Sequence, residues 1–197
     1  MSFKTIIKLM DIKTLVAGIV PVILGSVYSR YAFGPLPISY TPMGEIVSGI
    51  TMGIGITTTV IYIHSGVLNL NTVLVAVPTS LFIGTILLSN NLSDIEEDRK
   101  AGRKTLPILI GVKNAEKLWV FNVIMLLGLT FALLLIGLYP IVVLVTVSLL
   151  FPYKSIYNFL SYDKSIYTKG RTMGLIGKVG LKYHLAVITG LLISIYI

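Results

Sequence analysis

The sequence predicts an all-α fold, a polytopic bundle of about six transmembrane helices. Three observations carry that prediction. Only 12% of the 197 residues are charged, against about a quarter in soluble domains, and the mean hydropathy is +0.90. Apolar runs reach about twenty residues, long enough for a helix to cross the hydrocarbon core. These runs are continuously apolar rather than alternating, which favours helices over barrel strands.

The net charge of +8 fits Lys and Arg gathering in cytoplasmic loops. No basic stripe with interleaved aromatics argues for a nucleic-acid partner. The absence of cysteine excludes disulfides and thiolate metal sites. The basic opening M-S-F-K-T-I-I-K-L-M-D-I-K-T-L lacks a small-residue cleavage site, so it reads as a retained first element.

The first apolar run covers residues 14–33, with Gly18, Pro21 and Gly25 as kink points. Residues 34–45, G-P-L-P-I-S-Y-T-P-M-G-E, hold three prolines and two glycines and form a non-helical connection. A second span, 46–63, is rich in Gly and Thr, small residues that allow close helix approach. A short uncharged loop around His64–Asn71 leads to a third span, 72–92. A fourth follows at 118–137, then a turn at Tyr139 and Pro140. The fifth, 140–153, continues as a polar, Tyr-rich segment. A basic loop with Lys164, Lys169, Arg171, Lys178 and Lys182 precedes a last span from Tyr183 to Ile197; Gly174, Gly177 and Gly180 make that loop flexible. No ionisable residue is expected in the middle of a span. His64 and Trp119 are expected at the membrane interface. Tyr153, Lys154, Tyr157 and Asn158 read as a helix end, with a polar cavity wall as the second choice.

Positive charge places residues 1–13, 94–117 and 154–182 on the cytoplasmic side of the cell membrane. Spans two to six then alternate without conflict. Span one does not, because residues 1–13 and the start of span two are both inside with one crossing between them. Residues 14–33 therefore re-enter, invert, or stand next to an omitted odd number of crossings.

The densest polar stretch is S-N-N-L-S-D-I-E-E-D-R-K-A-G-R-K-T-L-P, residues 89–107. Four of the eight carboxylates (Asp94, Glu96, Glu97, Asp98) fall within five residues, followed by Arg99, Lys100, Arg103 and Lys104. Asn90, Asp94 and Asp98 are four apart and share one helical face, with Asn91 close to it. Two carboxylates one turn apart suit Mg²⁺, which completes its shell with water and phosphate oxygens. The adjacent cations can hold an anionic phosphate. An ordinary interfacial helix end also carries mixed charges, and spacing alone leaves that reading open. Two points favour function: polar groups at the membrane boundary are costly, and four like charges repel unless neutralised.

N-N-L-S-D-I-E-E-D-R-K-A-G-R-K-T-L-P resembles the second aspartate-rich motif of the UbiA superfamily of intramembrane prenyltransferases. G-P-L-P-I-S-Y-T-P-M-G-E and F-K-T-I-I-K-L-M-D-I-K-T-L-V-A-G-I-V-P-V-I-L-G resemble segments of its 1,4-dihydroxy-2-naphthoate polyprenyltransferase branch, which serves menaquinone biosynthesis. The resemblance implies nine helices and two aspartate-rich motifs. The first motif has no counterpart here, since Asp11 is the only carboxylate before Glu45. Helices two to four are accordingly expected to be missing at a junction near residues 30–33, which makes residues 1–197 a single truncated domain and accounts for the charge parity. By resemblance Asp94 and Asp98 bind Mg²⁺ and act in catalysis. Asn90, Asn91, Arg99, Lys100, Arg103, Tyr40 and Glu45 would contact substrate. The implied partners are a polyprenyl diphosphate, an aromatic acceptor and the lipid bilayer; no obligate protein partner is evident. A prenyltransferase for another aromatic acceptor and a non-catalytic membrane remnant remain alternatives. A phosphatidyl-transferring enzyme is disfavoured, because no D-G-x-x-A-R run occurs.

Overall fold

The computed structural model describes Tyr31, residues 41–161 and residues 169–197. The chain divides into two units, Met1–Pro37 and Ile38–Ile197. Of the first, only Tyr31 is described, helical and exposed. The predicted first span and the suspected junction, Tyr31 apart, lie outside the described residues, as does Tyr40.

Helix α1 runs Gly44–Ser65, with its middle segment Gly49–Gly55 wound as a π-helix. It stops where Gly66 adopts φ +68 and returns its N–H to the Tyr62 carbonyl at 2.8 Å, a left-handed cap that favours glycine. Only residues 66–69 separate it from α2, Leu70–Ser93. Asn69 starts α2 with a reciprocal cap: its Oδ1 accepts from the Thr72 N–H and its own N–H donates to Thr72 Oγ1, both at 3.1 Å.

Two short helices follow, α3 Ile95–Lys100 and α4 Leu106–Ile110, the latter with Pro107 in its first turn, where a missing N–H costs nothing. Helix α5, Val112–Leu135, ends in a turn at Gly137, φ +77, just ahead of the turn predicted at Tyr139 and Pro140, where Pro140 instead caps the next helix. Helices α6, Ile141–Leu150, and α7, Tyr153–Leu160, are bent by 42° at Phe151–Pro152. Helix α8 covers Lys169–Tyr196. Among the described residues there are no strands. Four helices among the described residues are long and apolar enough to cross a membrane, or five if the bent pair counts as one. The all-α polytopic bundle is thus the observed architecture.

Three expectations fail here. Residues 169–182 are helix, not a flexible loop, so the last span begins a dozen residues before Tyr183. His184 consequently sits well inside α8, where its Nδ1 lies 2.8 Å from the Gly180 carbonyl and its Nε2 3.2 Å from Thr79 Oγ1; an ionisable group does occupy a span. Trp119 is not interfacial. It is fully buried, stacked on Phe159 at 3.9 Å between ring centroids, and its Nε1 donates to Ser89 Oγ at 2.8 Å. With Phe159 turned inward, Tyr153, Lys154, Tyr157 and Asn158 are exposed on the other side of α7, as expected of a helix end.

Small residues set the distance between helices. A Cβ on Gly49 would meet the Ser80 carbonyl at 2.7 Å, and one on Gly53 would overlap Ser80 Cα. In lipid, helices associate by such close packing and by polar side chains bonding across the interface. Besides the Trp119 and His184 contacts, Thr130 bonds Tyr183 across α5 and α8 at 2.9 Å, and Thr146 Oγ1 donates to the Ala186 carbonyl at 2.8 Å.

Candidate functional site

The antiparallel turn between α1 and α2 brings the start of one to the end of the other. Glu45, in the first turn of α1, accepts through Oε1 a hydrogen bond from Asn91 Nδ2 at 2.8 Å. Both residues are about nine-tenths buried or more, with 6% exposed in each. Gly84 makes the approach feasible, because a Cβ there would stand 3.0 Å from the Glu45 carbonyl oxygen.

The acidic stretch does not form one continuous helix. Asp94 (φ −107, ψ 13) is the joint between α2 and α3. The backbone still bonds through it, Asp94 N–H to Asn90 O at 3.1 Å and Asp98 N–H to Asp94 O at 2.8 Å. The predicted common face of Asn90, Asp94 and Asp98 is therefore carried on two helices. Asn90 and Asp94 are half-buried, Asp98 is buried, and Glu96 and Glu97 point to solvent. That outward turn relieves the like-charge crowding expected from sequence.

Gly102, at φ +72, turns the chain back, and Arg103 Nη1 reaches Asp98 Oδ1 at 2.8 Å. Arg103 therefore holds a carboxylate. Arg99, Lys100 and Lys104 are exposed, Arg99 making a 3.7 Å surface pair with Glu96. Asp98 Oδ2, Glu45 Oε2 and Thr105 Oγ1 are buried without a hydrogen-bond partner. Such atoms are rare in folded proteins and call for a proton, cation or donor group. Among the described residues no three His, Cys, Asp or Glu side chains are grouped as a protein-only metal cage would require.

Beside Glu45 opens an apolar cavity of about 370 Å³ between α1, α2, α4 and α5, lined among others by Ile50, Leu81, Leu88, Leu106 and Leu118. Its polar wall residues are Glu45, Ser80 and Asn122, the last donating to Thr85 Oγ1 at 3.0 Å. Sequence reasoning passed over Ser80 and Asn122. A lone Asn in an apolar span was the available signal.

These features place a buried, partly unpartnered acidic cluster beside an apolar cavity in a bundle of membrane-length helices. Residues 6–170 match the UbiA prenyltransferase family, and the chain belongs to that family. It is 46% identical over 98 residues to the 1,4-dihydroxy-2-naphthoate octaprenyltransferase of Bacillus subtilis (strain 168), covering 50% of this chain and 30% of that protein. It is 36% identical over 94 residues to UbiA prenyltransferase domain-containing protein 1 of Gallus gallus, covering 46% and 27%. The Xenopus tropicalis protein of that name is 37% identical over 91 residues, covering 44% and 26%. The chain thus aligns with less than a third of the length of these relatives. No solved structure matches.

Proposed function

We propose that this chain transfers a polyprenyl group from its diphosphate to an aromatic acceptor, with 1,4-dihydroxy-2-naphthoate, as in menaquinone biosynthesis, the first candidate. Family membership supports the reaction class, and the similarity to the Bacillus subtilis protein supports the acceptor. The observation that carries the reading is Asp98. Its carboxylate is buried, one oxygen is paired to Arg103, and the other has no partner.

That oxygen and the carboxylate of Asp94, one turn away, fit Mg²⁺, which takes one or two protein carboxylates and fills its shell with water and phosphate oxygens. When bound, the ion would supply positive charge that stabilises the departing diphosphate. Arg103 keeps Asp98 in place, and Arg99 and Lys100, both exposed, would meet diphosphate oxygens through charge-assisted bonds. The cavity beside Glu45 would take part of the isoprenoid chain and exclude water from it. In the reaction the allylic C–O bond breaks and its electron pair leaves with diphosphate. A C–C bond forms to an electron-rich ring carbon, which then loses its proton to solvent, or its carboxylate as CO₂, and the bonding pair returns to the ring. The acidic motif faces the cytoplasm on this proposal, and the chain omits a segment near residues 30–33 that sequencing the encoding DNA would reveal.

The test uses the full chain in lipid nanodiscs with a prenyl diphosphate, dihydroxynaphthoate and Mg²⁺. Prenylated product that disappears in Asp94→Ala and Asp98→Ala is expected. Full activity in both variants would refute the site. No turnover and no Mg²⁺-dependent binding in the unaltered chain would favour the non-catalytic remnant.

A further inference from the structure

We infer that Glu45 is a positioning residue, which orients the Asn91 amide so that its carbonyl oxygen is presented to the electropositive part of the bound ligand. The contact joins residues 46 apart in sequence and is buried. A carboxyl oxygen without a proton can only accept, and the Asn91 NH₂ can only donate. The opposite amide orientation would set two acceptors face to face in a buried space, a costly arrangement. The amide is therefore fixed with Nδ2 toward α1 and Oδ1 away from it. Glu45 Oε2 has no partner, so the hydrogen bonding of this carboxyl rests on Oε1 alone.

Asn91 Oδ1 makes no hydrogen bond among the described residues. A neutral amide oxygen takes a hard cation, a water of its shell or a hydroxyl donor; it does not attract an anionic phosphate oxygen. Asn91 stands one turn before the Asp94 joint, on the helix that leads into the acidic stretch. Glu45 also lies in the wall of the apolar cavity, so one carboxyl links the wall to the polar end of the site. The nature of the ligand rests on the prenyl-transfer reading; the geometry does not.

The chemistry separates an orienting role from a charged one. Glu45→Gln keeps an acceptor at Oε1 and removes the charge, whereas Glu45→Ala removes both. The full chain is labelled at asparagine, and the Asn91 side-chain amide is followed by NMR, assigned by its loss in Asn91→Ser. Mg²⁺-dependent affinity for an unreactive thiolo analogue of a prenyl diphosphate is measured in parallel. The Asn91 signal should shift in Glu45→Ala and hold near its position in Glu45→Gln. Affinity should fall about tenfold in Glu45→Ala, as expected for losing a buried hydrogen bond, and stay within about threefold in Glu45→Gln. If Glu45→Ala does not fold, Asn91→Asp replaces it. Two facing acceptors should weaken binding as strongly, and adding Glu45→Gln should restore it, because the introduced amide can donate.

An unmoved Asn91 signal in Glu45→Ala overturns the inference. So does Glu45→Gln losing as much affinity as Glu45→Ala, or no recovery when Glu45→Gln is combined with Asn91→Asp. If the unaltered chain fails to bind the analogue, the prenyl-transfer reading falls, and the Asn91 signal alone decides the role of Glu45.

Discussion

Replacing Arg103 by methionine roughly keeps the bulk of the side chain and removes the cation that pairs with Asp98. The pair is asymmetric: the Asp98 side chain is 4% exposed and that of Arg103 30%. At 2.8 Å the gross attraction is about 6 kcal/mol for an effective dielectric constant near 20. Much of that is offset by the cost of taking both charges from water, and breaking a fully buried pair costs about 3–5 kcal/mol. Because Arg103 is partly solvated, we place the loss at about 2–3 kcal/mol. The assay is a double-mutant cycle. Unfolding of the full chain by denaturant in detergent is measured for Arg103→Met, Asp98→Asn and the double variant. The uncharged amide in Asp98→Asn needs no cation, so Arg103→Met should cost much less in that background. A coupling energy below about 0.5 kcal/mol would mean that the two residues act independently and would refute the idea that Arg103 holds Asp98.

Two further outcomes follow from the packing. Gly53→Ala places a Cβ against the Ser80 backbone, which cannot move aside as a flexible side chain could; overpacking of this kind costs about 1–3 kcal/mol, read as loss of folded protein in a thermal melt, and an unchanged midpoint would contradict the α1–α2 contact. Tyr139, in the turn before α6, is 9% exposed, and burial pushes its phenol above the ordinary 10.0. A raised folded value means that the unfolded chain gives up this proton first, so stability is intact below about pH 10 and declines as pH rises through the tyrosine range. Tyr139→Phe should flatten part of that decline, and an identical pH profile in the variant would show that the phenol is not shielded.

The sequence exposed the helices wherever apolar length and turn residues agreed. The boundaries of α1 and α2 lie within two residues of the expected spans, because Gly66 and Asn69 punctuate a short loop between two long apolar runs. In the last helix Arg171, Lys178, Lys182 and three glycines read as a loop by composition. Their spacing is nevertheless helical. Thr172, Leu175, Ile176, Val179, Tyr183, Ala186 and Val187 are all buried, an i, i+3, i+4, i+7 series, while Arg171, Lys178 and Lys182 are exposed on another face. Counting charges hid a pattern that tracking the apolar stripe would have shown. Trp119 was misplaced similarly: Ala115, Trp119, Val123, Leu126, Thr130 and Leu133 form the buried stripe of α5. At the site, the spacing of Asp94 and Asp98 was legible, but the joint at Asp94 was not. No propensity in S-D-I-E-E-D forces a break there. The Glu45–Asn91 bond could not be read at all, since a single chain carries no periodicity linking residues on separate helices.

Glu45 reaches Asn91 only because α1 lies unusually close to α2, and that closeness is a property of residues outside the polar cluster. Gly49 and Gly53 bring the π-wound part of α1 onto Ser80, and Gly84 admits the Glu45 backbone itself. A single helix register links these contacts: Glu45, Gly49 and Gly53 are spaced by four. A π-helical segment widens the turn, and such segments often mark functional positions. Here it occupies the stretch that must press on Ser80 while Glu45 turns toward the acidic end of α2. The packing also explains why Ser80 and Asn122 belong to the cavity wall. Small residues that seat α1 leave the 370 Å³ space beside them, and the few polar groups that face it are those held by neighbouring helices. The small-residue interface and the polar site are thus one structural unit. A substitution that lifts α1 by even an ångström should disturb the Asn91 amide before it disturbs Asp98, whose tie to Arg103 lies within its own loop.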